Sequence, residues 1–320
     1  MVRLTEDAAV VVPCQGAPVL RSRTNIAIAT GLVALALPVA ATAAPKRITR
    51  TVTGGPVAAT ATSVGSSFDG TGAGVQLKIS RNGTTLFDGA PKGAGCIYEG
   101  KSSCTLLGWD EGSDALVVRD LDGNGEPEVI VDQYTGGAHC CVDTTIFNLK
   151  PDGSGYLQSP KEFRDEGYRL ISRPGGTGEG AVPIFESGDI RFIDLYTSHA
   201  ASSAPTQLWR WTGQAGWIDV TTSYLDDVRA DQRQQRKLLD RITRRSIYEA
   251  RGVAAAWAAD GYRLGQRTAV LRILRRLADR GRLASGFSQR RSAAAKRSQG
   301  RAFVQGLDRR LKRWGYLPRP

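Results

Sequence analysis

The stretch DLDGNGEPEVIVDQYTGGAHCC, residues 120–141, joins a polar loop to an apolar segment that is typical of a strand. Oxygen-bearing side chains occupy positions 1, 3, 5 and 9 of the loop, at Asp120, Asp122, Asn124 and Glu128. Calcium takes six to eight oxygen ligands, and alternation on a tight loop directs such ligands toward one point. The spacing therefore predicts a structural calcium site.

Further positions in and beside the loop bear on this interpretation. Glu126 stands at position 7, where its backbone carbonyl is the expected ligand, and interleaved glycines allow the backbone to wrap. Position 12 is Val131 rather than the bidentate glutamate of an EF-hand, and both flanks are typical of strands rather than helices. These two features argue against an EF-hand, whereas a solvated turn without metal stays open as the alternative.

The histidine and cysteines that end the stretch allow several interpretations. His139, Cys140 and Cys141 could form a soft-metal site or a Cys–His nucleophile. However, the chain has only two histidines, His139 and His199, and it lacks a C-x-x-C motif. Zinc requires three or four ligands at workable spacing. A structural disulfide is therefore the favoured interpretation.

The segment before residue 44 is typical of a secretory signal. Arg21 and Arg23 precede an apolar run at 26–39, and small residues at 41–43 offer a cleavage site after Ala43. A membrane span needs about 20 apolar residues, so this run is too short for one. Residues 1–20 precede the charges of the signal, and we treat them as a candidate extension outside the natural product. The sequence thus predicts a secreted or cell-envelope protein with no membrane span after cleavage.

Export makes disulfides the expected state of the remaining cysteines. Loss of Cys14 with the signal leaves four cysteines, and four allow three pairings. Cys96 and Cys104 flank a short loop, so this pair is favoured. Cys140 and Cys141 would then form a strained ring with each other or remain as thiols.

The basic character of the chain belongs to its last hundred residues. The net charge of the whole chain is +12, but residues 44–223 contribute −6 and residues 224–320 contribute +17. A basic helical surface could bind an anionic polymer, and a solvated arginine face is the alternative. The chain has no recognition motif for nucleic acid, so we expect no specific nucleic acid partner.

The hydrophobic pattern of the sequence changes from strand-type to helix-type along the chain. Residues 44–66 lack a period and predict a flexible linker. Residues 67–223 contain short strands separated by turn signals, including Asn82-Gly83 between two strand-like runs. From residue 224, apolar residues recur at helical spacing with arginines opposite. The prediction is an α+β protein with an all-β domain at 67–223 and a small all-α domain at 224–320.

An internal repeat connects two parts of the predicted β domain. VDQYT at 131–135 matches IDLYT at 193–197, a displacement of 62 residues. With the same offset, TTIFNL at 144–149 falls on TQLWRW at 206–211. A period of this kind predicts stacked or radial β units. Chance similarity of two strand pairs is the alternative.

The strand–loop–strand with the pattern D-x-D-G-N-G-x-x-E resembles the calcium loop of FG-GAP and VCBS repeats, the blades of integrin-type β-propellers. The residues that match are Asp120, Asp122, Gly123, Asn124, Gly125 and Glu128. The resemblance implies a calcium-binding blade, although Glu128 stands where aspartate is usual and only one complete loop is present. A propeller normally has at least four blades, so we expect an open, propeller-like β domain.

No feature of the sequence fixes an activity. The expected function is binding or scaffolding at the cell envelope, for an unknown ligand, with calcium locking the loop. The rival is a hydrolase of an envelope polymer or glycan that uses Asp120, Glu128 or Asp132 as catalytic carboxylates. An open groove lined by Trp209 or Trp211 would favour this rival, whereas convergence of the carboxylates on one point would weaken it.

Overall fold

In the computed structural model the described residues are 47–64, 74–93, 96–98, 101–102, 104–107, 114–137, 140–174, 181–245, 250–285 and 291–318. The predicted signal at 1–43 and His139, the histidine of the disfavoured soft-metal interpretation, lie outside these residues. Residues 44–320 belong to one compact unit. The α+β class is confirmed, since antiparallel sheets are followed by four helices.

The first sheet has four antiparallel strands that pair in chain order. They are β1 (Arg47–Gly54), β2 (Val57–Val64), β3 (Val75–Arg81) and β4 (Thr84–Gly89). The turn between β3 and β4 is the predicted Asn-Gly turn. Asn82 and Gly83 have φ values of 49° and 81°, as a tight hairpin requires.

The prediction of a flexible linker over 44–66 is wrong for residues 47–64, which form β1 and β2. The buried positions of β2 alternate strictly, with Val57, Ala59 and Ala61 facing the core. These side chains are small, and threonines occupy the other face. The strand period is therefore present in the sequence without the large apolar residues that usually reveal it.

The second sheet contains the strands formed by the stretch at residues 120–141. Its strands are β7 (Thr105–Leu106), β8 (Leu116–Arg119), β9 (Glu128–Gly137), β10 (Cys140–Leu149) and β11 (Tyr156–Arg164), and a separate ribbon joins β5 (Ile97–Tyr98) to β6 (Lys101–Ser102). Antiparallel pairing of β8 with β9 sets Arg119 opposite Glu128. Residues 120–127 therefore connect two adjacent strands at one end of the sheet.

The third sheet also has four antiparallel strands in chain order. They are β12 (Arg169–Pro174), β13 (Ala181–Gly188), β14 (Thr206–Trp211) and β15 (Trp217–Asp219). The strand predicted at 206–211 is confirmed with the same bounds.

The second sheet packs between the other two. Val129 and Phe147 belong to a buried cluster shared with the first sheet. Their chain neighbours Ile130 and Ile146 belong to another cluster, which contains Phe185 of the third sheet. Because successive side chains of a strand point to opposite faces, both faces of the second sheet are buried. This explains why residues 129–131 of β9 form an unbroken apolar run rather than an alternating one.

The repeat predicted from residues 131–135 and 193–197 is wrong for this pair. Residues 131–135 lie in β9, whereas Ile190–Phe192 form a 3₁₀ turn and the residues that follow are not a strand. The Asp189 carboxylate accepts the Arg191 amide at 3.1 Å and caps this turn. Phe192 then packs among the helices, so tertiary packing overrides the strand-like pattern.

After the third sheet, the described part of the chain contains four helices, α1 (Leu225–Arg245), α2 (Ala250–Arg263), α3 (Arg267–Asp279) and α4 (Ala293–Arg313). Helix α2 is almost entirely buried and forms the centre of their core. Helix α1 is tied to the third sheet, since Arg173 donates to the Asp227 carboxylate and Asp231 accepts the Thr206 amide. None of the helices in the described residues has the length and hydropathy of a membrane span.

Candidate metal centre

Three of the predicted ligands meet in the acidic loop, which we define as residues 120–128. One carboxylate oxygen from each of Asp120, Asp122 and Glu128 lies within 4.8 Å of the others. Pairing of β8 with β9 brings the two ends of the loop together, and alternation places all three side chains on its inner side. The loop thus presents three oxygen donors to one point, as the spacing predicted.

Hydrogen bonds from the backbone fix the shape of the acidic loop. The Asp120 carboxylate accepts the amides of Gly123 at 2.7 Å and Gly125 at 2.9 Å. Both glycines have positive φ, 82° and 86°, which residues with a side chain rarely adopt. Each carboxylate oxygen has two acceptor sites, so these hydrogen bonds leave capacity for a cation.

Glu128 is the buried member of the group, with 2% of its surface exposed. Its Oε2 accepts the Leu121 amide at 2.8 Å. Burial, followed by the charges of Asp122 and Asp120, raises the pKa of the Glu128 carboxyl to about 8. Among the described residues, none of these three carboxylates forms an ion pair with a lysine or arginine. A divalent cation would supply the missing positive charge, so the donor set fits a hard metal ion.

The other two predicted ligands have different roles in the described contacts. The Glu126 carboxylate forms a bidentate ion pair with Arg81, at 2.9 Å for both hydrogen bonds. Asn124 Oδ1 accepts the Glu126 amide at 2.7 Å, and its Nδ2 donates to Asp122. The Arg81 contact could not be predicted from sequence, because 45 residues separate the partners. It ties the acidic loop to the first sheet.

A turn of the third sheet packs directly against the acidic loop. Gly213 lies between β14 and β15 with a φ of 57°, and a Cβ built on it would lie 2.6 Å from Asp122 Oδ2. Any side chain at this position would displace the Asp122 carboxylate. No local sequence signal connects Gly213 with the acidic loop, so sequence analysis missed this contact.

Asp132, a carboxylate of the rival hydrolase interpretation, lies apart from the metal group. It is 3% exposed and accepts hydrogen bonds from Thr144 Oγ1 at 2.8 Å and from the Tyr168 hydroxyl at 3.0 Å. Burial raises the pKa of its carboxyl to about 7, against the opposing effect of these hydrogen bonds. Asp132 therefore links the second and third sheets inside the core and does not face a groove.

The tryptophans of β14 do not form an open platform. Trp211 is 1% exposed and packs in the core between the second and third sheets. The ammonium group of Lys161 lies 3.3 Å from the centre of the Trp209 ring and within 5.5 Å of the Trp217 ring. Burial lowers the pKa of Lys161 to about 8. A stacking ligand would therefore have to displace this cation from Trp209.

The cysteine predictions are resolved in part. The Cys96–Cys104 disulfide is confirmed, and it closes a loop with a sequence separation of 8. Cys141 is also disulfide-bonded, so the interpretation of Cys141 as a thiol or nucleophile is wrong. The side chain of Cys140 lies outside the described residues.

Comparison with known proteins gives one informative match. The chain is similar to a probable thylakoid lumen protein of Synechocystis sp., with 29% identity over 154 residues. The match covers 47% of this chain and 44% of that protein, so the chain spans less than half the length of its relative. No family model matches the chain, and no solved structure matches it.

Proposed function

We propose that this protein is an exported binding or scaffolding protein in which calcium locks the acidic loop between two strands. Asp120, Asp122 and Glu128 would hold the ion, and the loop carbonyl of Glu126 and the side chain of Asn124 are the further predicted ligands. Calcium would act structurally, by compensating three carboxylates that otherwise repel one another. Convergence of these carboxylates within 4.8 Å is the observation that supports the proposal most strongly.

Three observations support an extracytoplasmic location. The similar cyanobacterial protein is described as a probable lumen protein. The Cys96–Cys104 disulfide is typical of an oxidising compartment. The segment at 21–43 has the pattern of a secretory signal. Together they favour a secreted or envelope-associated protein.

The arrangement of the sheets supports open, propeller-like units as part of the proposal. The first and third sheets each contain four antiparallel strands in chain order, as a blade does. The second sheet packs between them. The acidic loop is then a connection within one unit that contacts both neighbours, through Arg81 on one side and Gly213 on the other.

The alternative function, a hydrolase, is less well supported than a calcium-stabilised binding protein. A glycosidase needs two carboxylates that face each other across an open cleft. Here Asp120 and Glu128 converge on one point. Asp132 is buried, and its carboxylate accepts hydrogen bonds from Thr144 and Tyr168. The geometry is better suited to holding an ion than to flanking a substrate.

Calcium is expected to raise the melting temperature of the full chain, and Asp122→Asn is expected to abolish the increase. At ~10 mM calcium, a site with a Kd of ~0.1–1 mM stabilises the folded state by roughly 1.4–2.7 kcal/mol. This corresponds to a shift of roughly 3–10 °C for a protein of this size. Asparagine at 122 can still accept the Asn124 amide, so the substitution removes charge while preserving the turn.

Asp152→Asn is the matched control for this experiment. Asp152 accepts the Ser154 amide at 2.9 Å in an exposed turn, which is the same local role that Asp122 has toward Asn124. The control should keep the full calcium response, measured by differential scanning calorimetry against EDTA. A chain that melts at the same temperature with calcium and with EDTA would refute the metal site.

A further inference from the structure

The exposed side of α1 presents a row of positive charges, which we call the basic stripe: Arg233, Lys237, Arg241 and Arg244. All four residues are exposed. Their separations of 4, 4 and 3 residues keep them on one side of the helix, because a turn contains 3.6 residues. At a rise of ~1.5 Å per residue, the stripe extends over about 16 Å.

The basic stripe is not neutralised by neighbouring carboxylates. Among the described residues, no carboxylate lies within 4.0 Å of the charged nitrogens of Arg233, Lys237 or Arg241. Asp240, an acidic residue of the same helix, is paired with Arg236 at 3.0 Å. This contrasts with Arg301 of α4, which is paired with Asp279 at 2.8 Å.

Two adjacent shallow grooves run along the stripe. One has a volume of about 490 Å³ and is bordered by Arg233, Lys237 and Arg241. The other has a volume of about 450 Å³ and is bordered by Lys237, Arg241 and Arg244 together with Asp240, whose carboxylate is paired with Arg236. Because Lys237 and Arg241 border both grooves, the two depressions are adjacent, and together they form the track along α1.

We propose that the basic stripe binds an extended, linear polyanion with regularly spaced phosphate or sulfate groups. Each cation would contact a successive anionic group, and the grooves would receive the chain that connects them. Binding would release counterions and would therefore weaken steeply with salt. A membrane surface would instead require a broad cationic face, whereas the track is one helix wide. The assignment rests on the proposed binding function and adds a location and a ligand chemistry to it.

The test measures binding of the full chain to two linear polyanions, fluorescein-labelled polyphosphate and fluorescein-labelled heparin, by fluorescence anisotropy. The variant Arg233→Gln/Lys237→Gln/Arg241→Gln should weaken binding by about tenfold or more at ~50 mM salt. The slope of log affinity against log salt should also become shallower by about 2, because three contacts are lost. All three side chains are exposed, so the fold should be retained, which circular dichroism will verify.

The matched control removes the same charge from another helix. Arg272, Arg275 and Arg276 of α3 are also exposed and close together, so Arg272→Gln/Arg275→Gln/Arg276→Gln changes net charge and charge density equally. This control should weaken binding by less than about threefold, since net charge alone contributes a modest long-range attraction. Equal losses in both variants would show that binding follows net charge and would overturn the assignment to α1.

Two further results decide between ligands and between proposals. Vesicles containing phosphatidylglycerol are the comparison, and binding to vesicles without binding to either polymer would overturn the linear-polyanion assignment. The measurement is repeated with Asp122→Asn, which should bind the polymers normally because the acidic loop is separate from α1. Absence of a calcium response in the parent chain together with intact polymer binding would therefore refute the metal site alone. A calcium response in the parent chain without polymer binding would refute the basic stripe alone.

Discussion

Replacing Phe185 with alanine is expected to lower the free energy of unfolding by about 3–5 kcal/mol. Phe185 is fully buried between the second and third sheets. Its ring lies 4.7 Å from that of Trp217 and 4.9 Å from that of Tyr168, measured between ring centres. Truncation would remove these contacts and leave a cavity that the surrounding sheets can fill only in part. Denaturant unfolding followed by circular dichroism measures the loss.

Leu157→Ala is the control for the Phe185 substitution. Leu157 is an apolar residue of β11 with 41% of its surface exposed, and its truncation should change stability by less than about 0.5 kcal/mol. Similar losses in both variants would contradict the packing of the second sheet against the third. Leu121 of the acidic loop lies in the same cluster as Phe185, so the Phe185 substitution should also weaken calcium binding.

Stability is expected to fall as pH rises from about 4 to 7, because Asp132 must lose a proton inside the core. Its folded pKa is about 7, compared with an ordinary value of 3.8. In this window the folded state binds more protons than the unfolded state, so the free energy of unfolding decreases with pH. This difference in pKa corresponds to at most about 4 kcal/mol of unfolding free energy. Asp132→Asn should remove this contribution. The difference in unfolding free energy between the parent chain and this variant should therefore change between pH 4 and 7.

A second substitution tests the cause of the Asp132 shift. Thr144→Val removes a hydroxyl that donates to Asp132, and it should move the pH-dependent fall in stability to higher pH. A difference between the parent and Asp132→Asn that does not vary with pH would contradict the account. In that case the Asp132 carboxyl would have the same protonation state in the folded and unfolded chain between pH 4 and 7.

The features predictable from sequence were those determined by local chemistry. The acidic loop was predicted because calcium-type oxygen spacing is a local pattern, and the β3–β4 turn because Asn82 and Gly83 accept positive φ. The Cys96–Cys104 bridge followed from a short separation. In each case the residues that determine the feature lie within about ten positions of one another.

The features that escaped prediction depend on partners distant in sequence. β2 was interpreted as a linker because its buried face is built from small residues that fit only against the neighbouring sheet. Residues 193–197 were matched to the strand segment 131–135, but packing of Phe192 among the helices turns the chain away. The role of Gly213 depends on an Asp122 carboxylate 91 residues earlier. Periodicity and turn chemistry contain no information about such contacts.

Calcium titration of the full chain by isothermal calorimetry tests the central claim most directly. The account predicts one saturable site per chain with a Kd of ~0.1–1 mM. It also predicts no saturable binding to Asp122→Asn and unchanged binding to Asp152→Asn. Absence of binding to the parent chain, or equal binding to the parent and Asp122→Asn, would contradict a metal centre formed by Asp120, Asp122 and Glu128.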